Sequence, residues 1–336
     1  MIELEYAAEL AEDSAFAFAT GSVRVLETRL LSGAHLSRLA EAADPAEAWR
    51  LLAEAGMAAA AETGWQEYEA ALGRELQRLY HYARSISPRP EVVAWLEERY
   101  DFHNLKVFLK AHLLEEDPSE AVFGLGEVPS ELIAQAVKTM VWSALPEELA
   151  HAGEAAVAEF EKAKAAQAFD FIVDREMFAH LKRTARQPFL RGLVELWCDL
   201  ANLKSALRAK NLGKDKEFLA RALVPPGSLP ADRLLALLEV PLEEWPGSLK
   251  WTLYAGLIVQ ASRLGEGSLG QFERLSDNFV IERLRATKLA LYGPEPLVAY
   301  ILAKEMELKN IRVVMVGKIN GLPPEALKER LRASYV

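Results

Sequence analysis

Residues 302–331 read LAKEMELKNIRVVMVGKINGLPPEALKERL, and this stretch indicates how the whole chain is built. Apolar residues recur in its first half every three or four positions, which is typical of an α-helix with a buried face. Glu307 and Asn310 lie three positions apart within that helix, so their side chains fall on one face. Asparagine is a mediocre helix former. If the same pair occurs elsewhere in the chain, it indicates an internal repeat.

The pair does recur, within a longer pattern that occurs three times. Each copy consists of an acid, two further residues, and then asparagine, an aliphatic residue and a base: Asp101–Asn104-Leu105-Lys106, Asp199–Asn202-Leu203-Lys204 and Glu307–Asn310-Ile311-Arg312. The copies lie about 100 residues apart, well beyond the roughly 20–50 residues of a solenoid repeat. They therefore indicate three whole bundles and not a stack of helical hairpins.

A second marker follows each copy, in the same order along the chain. It is a proline with an acid two positions later and an aliphatic residue four positions later: Pro129/Glu131/Ile133, Pro230/Asp232/Leu234 and Pro323/Glu325/Leu327, with a weaker copy at Pro45/Glu47/Trp49. Proline is tolerated in the first turn of a helix, and an acid there suits the helix dipole. Two markers kept in order make a chance match improbable.

The remaining sequence predicts an all-α protein. Long segments have helical periodicity, among them residues 92–114 and 189–212, and Gly and Pro interrupt the pattern at 116–129, 224–230 and 317–324. Alternating β-branched runs beside Asn-Gly turns are missing. We predict three similar helical bundles, with residues 1–116 forming the first, 117–213 the second and 214–336 the third.

Composition and missing motifs argue against several classes of function. The chain has 336 residues, 51% of them hydrophobic, and a formal net charge of −10, which argues against nucleic acid as a partner. Its single cysteine, Cys198, cannot form an internal disulfide. The sequence contains no GxxxxGK[ST] phosphate loop and no histidine spacing typical of a metal site. We predict no cofactor, no metal, no small-molecule substrate and no catalytic residue.

The start of the chain, MIELEYAAELAED, is acidic and lacks a basic leader, so we expect no signal peptide. The longest nearly uncharged apolar run, Trp251–Ala261, is too short to cross a bilayer. We therefore expect no transmembrane segment.

Several stretches resemble one known family. The region Gly293–Leu331, and above all YILAKEMELKNIRVVMVGK (300–318), resembles the C-terminal region of the C subunits of the bacterial and archaeal V-type (A-type) rotary ATPases, which are similar to the d subunit of the eukaryotic vacuolar enzyme. Residues 15–31, AFAFATGSVRVLETRLL, resemble the start of that family, although Phe16 and Phe18 stand where tyrosines are expected. In the middle third, ELWCDLANLKSALRAKNL (195–212) carries the resemblance.

This resemblance implies a funnel of three helical bundles around a pseudo-threefold axis. The central axle of the rotary complex would enter the funnel, and the closed side would rest on the membrane ring of proteolipid subunits. The chain would be a non-catalytic coupling subunit on the cytoplasmic face of the membrane, with ATP chemistry on other subunits and the transported ion, H⁺ or Na⁺, bound on the ring. The alternative is a helical-bundle adaptor of unrelated function that shares only the repeat.

The repeated residues permit two interpretations. In the first, the acid and the asparagine are structural positions, with Asn104, Asn202 and Asn310 bridging a helix crossing or capping a nearby loop by pairing buried backbone groups. In the second, the basic positions of the pattern line the central cavity and bind acidic groups of the axle; these positions are Lys106, Lys204 and Arg312.

Overall fold

The computed structural model describes residues 13–118, 121–263 and 269–336. These residues form seventeen α-helices and five short 3₁₀-helices and contain no strand, so the all-α prediction is confirmed. None of the helices in these ranges is long and apolar enough to span a membrane. The acidic start on which the signal-peptide expectation rests, residues 1–12, lies outside the described residues, as do residues 119–120 of the predicted break at 116–129.

In chain order, the α-helices are α1 (Ala17–Glu27), α2 (Gly33–Glu41), α3 (Pro45–Glu54), α4 (Ala58–Glu62), α5 (Tyr68–Ile86), α6 (Pro90–Leu114), α7 (Ser130–Thr139), α8 (Glu147–Ala163), α9 (Gln167–Thr184), α10 (Pro188–Asn211), α11 (Lys216–Ala222), α12 (Ala231–Ala236), α13 (Trp245–Ser248), α14 (Ala255–Ala261), α15 (Leu269–Arg285), α16 (Glu295–Ile319) and α17 (Pro324–Lys328). The helices predicted at 92–114 and 189–212 are thus present as α6 and α10. We call α6, α10 and α16 the asparagine helices, because they carry the repeated asparagines.

The chain divides into two compact units, one formed by Met1–Val93 with Gly270–Val336 and the other by Ala94–Leu269. The first unit joins the early part of the chain to its last part. The division into three bundles at 1–116, 117–213 and 214–336 stays a prediction.

In the first unit, α16 packs against α1, α2, α3 and α5. Every residue from Glu295 to Ala303 is buried, so this half of α16 has no solvent face, which explains why its sequence is apolar on all sides. The helix ends at Ile319, two residues beyond the start of the break predicted at Gly317. Gly317 therefore lies inside the helix. A glycine is needed at this position because Leu327 of α17 packs on it: a Cβ atom there would lie 2.1 Å from Leu327 Cδ2.

In the second unit, one hydrophobic cluster lies between α6, α7, α8 and α9. Its buried members include Phe102, Leu105, Leu109, Ile133, Val137, Leu149, Ala152, Phe169 and Val173. The indole rings of Trp95 and Trp197 stack between α6 and α10 with centroids 5.8 Å apart.

The proline marker has a consistent place in the structure. Pro129, Pro230 and Pro323 are each the residue just before a helix, at the N-termini of α7, α12 and α17. The prolines therefore stand one position earlier than the first turn that the sequence suggests. The aliphatic residue four positions later is fully buried at all three places, as Ile133, Leu234 and Leu327. The marker thus combines a helix start with a core contact.

Candidate functional site: three acid–asparagine joints

Each repeated asparagine binds the backbone of one residue through both ends of its amide. The Nδ2 group donates to a carbonyl and the Oδ1 atom accepts from the N–H of the same residue: Asn104 binds Phe123 (2.9 and 2.9 Å), Asn202 binds Val224 (3.2 and 2.9 Å) and Asn310 binds Arg332 (3.1 and 2.8 Å). All three asparagines are at most 1% exposed. We call each acid–asparagine pair, with the backbone it binds, a joint.

The chemistry of the amide explains why asparagine occupies these positions. A carboxamide carries a donor and an acceptor side by side, which match the N–H and C=O of one extended residue. A backbone N–H or C=O group that is buried without a hydrogen-bond partner costs free energy of folding. A segment that crosses a helix and has no neighbouring strand therefore needs side chains that pair its backbone groups. Each joint therefore fixes one point of a non-helical segment to an asparagine helix.

In the first two joints, the acid one turn earlier fixes a second point of the same region. In the first joint, the Asp101 carboxylate accepts from the backbone N–H groups of Glu127 (2.9 Å) and Val128 (3.1 Å). In the second joint, Asp199 accepts from three successive backbone N–H groups, from one serine hydroxyl and from one tyrosine hydroxyl. The donors are Gly227 N (3.1 Å), Ser228 N (2.8 Å), Leu229 N (3.0 Å), Ser228 Oγ (2.7 Å) and Tyr254 OH (2.8 Å).

The third joint is built from both parts of the first unit. Glu307 accepts from Lys304 Nζ and from the backbone N–H of Leu31. Leu31 stands two residues before α2, just as Val128 stands two residues before α7 and Leu229 two residues before α12. At the third joint the acid therefore holds α2, from the early part of the chain, and not the helix after Pro323, which the sequence pattern pairs with it. The Ser32 cap that begins α2 is a local signal that sequence analysis left unused.

Two glycines allow the connecting segments to approach the acids. A Cβ atom on Gly126, whose φ is +125°, would lie 2.1 Å from Asp101 Oδ1. A Cβ atom on Gly227 would lie 2.2 Å from the Glu195 carbonyl oxygen and 2.7 Å from Asp199 Oδ1. Each glycine stands two residues before the last backbone donor of its joint, so the first two joints share this detail.

Two of the basic positions of the pattern, Lys106 and Arg312, lie beside acids of the same chain. Lys106 Nζ is 2.6 Å from Asp174 Oδ1 and 3.8 Å from Asp170 Oδ1, both on α9. Arg312 Nε is 2.9 and 3.0 Å from the two carboxylate oxygens of Glu69, in the first turn of α5. Lys204 is partly buried on α10.

The electrostatic surroundings of the first acid are distinctive. The pKa of Asp101 is raised from 3.8 to about 7, and burial is the largest cause. Among the smaller causes, the hydrogen bond from Val128 lowers this pKa, and three carboxylates raise it: Glu98, Glu97 and Glu148. Across the described ranges, no group of three or more His, Cys, Asp or Glu side chains is arranged to hold a metal ion. The joints bind backbone groups, so their evident chemical role is to hold segments in place.

Comparison with known proteins gives a consistent result across the chain. The family model described as ATP synthase (C/AC39) subunit matches residues 19–330. The C subunit of a V-type sodium ATPase of Enterococcus hirae is 29% identical over 273 residues, which are 80% of this chain and 83% of that protein. The C subunits of the A-type ATP synthases of Methanocaldococcus jannaschii and Thermococcus kodakarensis are 26% and 24% identical, and each match covers 94% of this chain and 86% and 89% of the relative.

Replacing a joint asparagine should destabilise the protein. Asn202→Leu removes both partners of Val224 in a fully buried place, and each unpaired backbone group is expected to cost about 1–3 kcal/mol. Asn211→Leu on the same helix is the matched control, because the buried Nδ2 atom of Asn211 has no hydrogen-bond partner among the described residues. Thermal or urea unfolding measures the difference. Equal stability of the two variants would contradict the role given to Asn202.

Proposed function

Because the chain belongs to the ATP synthase (C/AC39) subunit family, we propose that it couples the central axle of a V-type or A-type rotary ATPase to the membrane ring of proteolipid subunits. It does so without catalysis of its own, and nucleotide chemistry takes place on other subunits. The match of the family model over residues 19–330 carries this proposal. The same match decides against the alternative of an adaptor unrelated to rotary ATPases.

The proposed architecture is a funnel of three bundles around a pseudo-threefold axis. It is supported by the three joints, in which each asparagine binds both backbone groups of one residue and each acid binds the backbone two residues before a helix. The third acid takes its helix, α2, from the early part of the chain. In a closed arrangement of three bundles, the last copy of the repeat has to contact the early part of the chain. The hydrogen bond from Leu31 to Glu307 is such a contact.

A protein that couples an axle to a ring has to hold its partners under torque, and the joints suit this task. In the first two joints the amide and the acid fix one connecting segment at two points, and in the third joint Asn310 binds Arg332 while Glu307 binds Leu31. Buried hydrogen bonds of this kind resist deformation more than exposed ion pairs, because their rupture leaves unpaired groups away from water. The joints therefore stiffen the protein between its two partners.

The basic positions Lys106, Lys204 and Arg312 are proposed to contact acidic groups of the axle. The ion pair between Arg312 and Glu69 has side chains 41% and 51% exposed. Exposed pairs of this kind contribute only about 0–1 kcal/mol, so a partner carboxylate can replace Glu69 at little cost. The existing ion pair thus leaves Arg312 available to a partner.

Recovery of the protein from its native membrane tests the coupling role. An affinity tag on the chain, followed by detergent solubilisation and mass spectrometry, is expected to recover a P-loop ATPase pair, the axle subunits and a short proteolipid. Recovery of the intact chain without any of these proteins would overturn the proposal.

A charge-swap titration tests the basic positions separately. Lys204→Glu with Arg312→Glu is expected to weaken binding of the purified axle, with an affinity that falls as salt rises, because contacts between partly exposed charges are screened. The control adds Glu69→Arg, which restores the internal ion pair of position 312 with reversed polarity. If that control recovers the affinity, the effect of position 312 is internal and Arg312 does not contact the axle.

A further inference from the structure

An exposed group of large apolar side chains lies within the first unit and takes no part in the joints. It comprises Phe18 and Val25 of α1 and Leu289, Leu291 and Tyr292 of the segment between α15 and α16. Tyr292 is 38% exposed, and the other four are 58–80% exposed. Single exposed apolar residues are ordinary, but a contiguous group of them marks an interaction surface. We call this group the apolar patch.

Arg24 joins the two halves of the apolar patch. Its Nη2 atom donates to the carbonyl oxygens of Thr287 and Ala290, both at 3.0 Å. Its Nη1 atom donates to both carboxylate oxygens of Glu27, at 2.8 and 2.9 Å, so this acid is paired. The next residue of α1 after Arg24 belongs to the patch, and Ala290 lies between the two leucines of the patch. The side chains of both segments therefore form one surface.

The segment between α15 and α16 buries its small residues and exposes its large ones. Thr287 and Ala290 are at most 5% exposed, whereas Leu289 and Leu291 project into solvent. The backbone is held in this form, because the Ala290 N–H donates to the Thr287 carbonyl at 2.9 Å and the Thr287 hydroxyl donates to the Leu284 carbonyl at 2.7 Å. A partner that contacts the two leucines therefore has little additional backbone to order, which lowers the entropic cost of binding.

The half of the patch on α1 is a strip without charge. Phe18, Gly21, Ser22 and Val25 recur at helical spacing and share one face, which spans about 10 Å at 1.5 Å per residue. A Cβ atom on Gly21 would have no neighbour within 4 Å, so there is open space above the strip. The strip is therefore a surface that faces solvent and not the lining of a groove.

The charged residues beside the patch are mainly basic, on a chain whose net charge is −10. Residues 282–292 contain one acid and three bases: Glu282, Arg283, Arg285 and Lys288. Arg285 Nε and Lys288 Nζ donate to the Tyr335 carbonyl oxygen at 3.3 and 3.0 Å, and this neutral partner leaves their positive charges in place. On the other side, Arg29 stands one turn beyond the strip of α1 and is exposed. The apolar patch thus has basic flanks.

We propose that the apolar patch binds the surface of a phospholipid bilayer, with Leu289 and Leu291 inserted among the lipids and the basic flanks against anionic headgroups. Side chains that project from a fixed backbone suit a fluid surface, because lipids surround them without a matching groove. Leucines, an amphipathic tyrosine and nearby bases are typical of residues at a membrane–water interface. This inference goes beyond the proposed coupling role and rests on the patch alone, so either can fail without the other.

Flotation of the intact chain with vesicles tests this inference. Vesicles of phosphatidylcholine with phosphatidylglycerol are expected to carry the protein, and vesicles of phosphatidylcholine alone should bind it less, because they lack anionic headgroups. Leu289→Ser with Leu291→Ser should weaken binding to the anionic vesicles about tenfold, since the inserted side chains lose most of their apolar surface. Lys288→Glu should weaken binding to the anionic vesicles and leave binding to phosphatidylcholine unchanged.

The matched control is Leu114→Ser with Leu212→Ser. Leu114 ends α6 and Leu212 follows α10, and they are 55% and 57% exposed, so the control removes the same atoms from exposed positions elsewhere. It should bind vesicles as the unchanged chain does, and thermal unfolding verifies that every variant is folded. Absence of binding to anionic vesicles, or an equal loss in the control, would overturn the proposal. If the patch variant instead loses only protein partners during recovery from the native membrane, the patch contacts a protein and the lipid proposal is wrong.

A fluorescent probe on the patch measures insertion at one position. Cys198 is buried, so a thiol reagent labels the Leu291→Cys variant at position 291. An environment-sensitive probe there should shift to shorter wavelength on binding and be quenched by quenchers carried on the lipid chains, because it enters the apolar part of the bilayer. The same probe on the Leu212→Cys variant should do neither. A probe at position 291 that stays in water while the protein floats with the vesicles would contradict insertion of the patch.

Discussion

The structure depends on one interaction, the pairing of a buried asparagine amide with the N–H and C=O of a single backbone residue. It occurs at Asn104, Asn202 and Asn310 with nearly the same distances. Long helices alone do not fix the segments that connect them, because the connections run without a sheet to pair their backbone groups. An asparagine in the middle of a helix supplies that pairing through its side-chain amide. The acid one turn earlier on the same helix binds further backbone N–H groups. The connecting segments are thereby tied to the helices.

The identical role of the asparagines contrasts with the varied surroundings of the acids. Asp199 is surrounded by hydroxyl and backbone donors, Glu307 is paired with Lys304, and Asp101 lies among carboxylates. Because the amide part carries no charge, the geometry can be kept while the electrostatics of each joint change. A repeated scaffold thus acquires differences between its copies without a change of fold.

The positions of the long helices were predictable from sequence. The periodicity of residues 92–114 and 189–212 identified α6 and α10 to within two residues at either end, because each helix has a persistent apolar face. The need of a helical asparagine for a partner likewise predicted that it binds backbone. Periodicity carries no information on which segment is bound, so Phe123, Val224 and Arg332 were not identified. The contact between Glu307 and Leu31 joins distant parts of the chain, and only the folded structure reveals it.

The central claim is that the three amide pairs are equivalent and hold their segments in the native state. Hydrogen exchange of the backbone N–H groups of Phe123, Val224 and Arg332 tests it directly, since each donates to the Oδ1 atom of a joint asparagine. We predict that all three are strongly protected although none lies within a regular helix. Exchange of any of the three at the rate of an unprotected loop amide, at the pH where the protein is most stable, would contradict the claim.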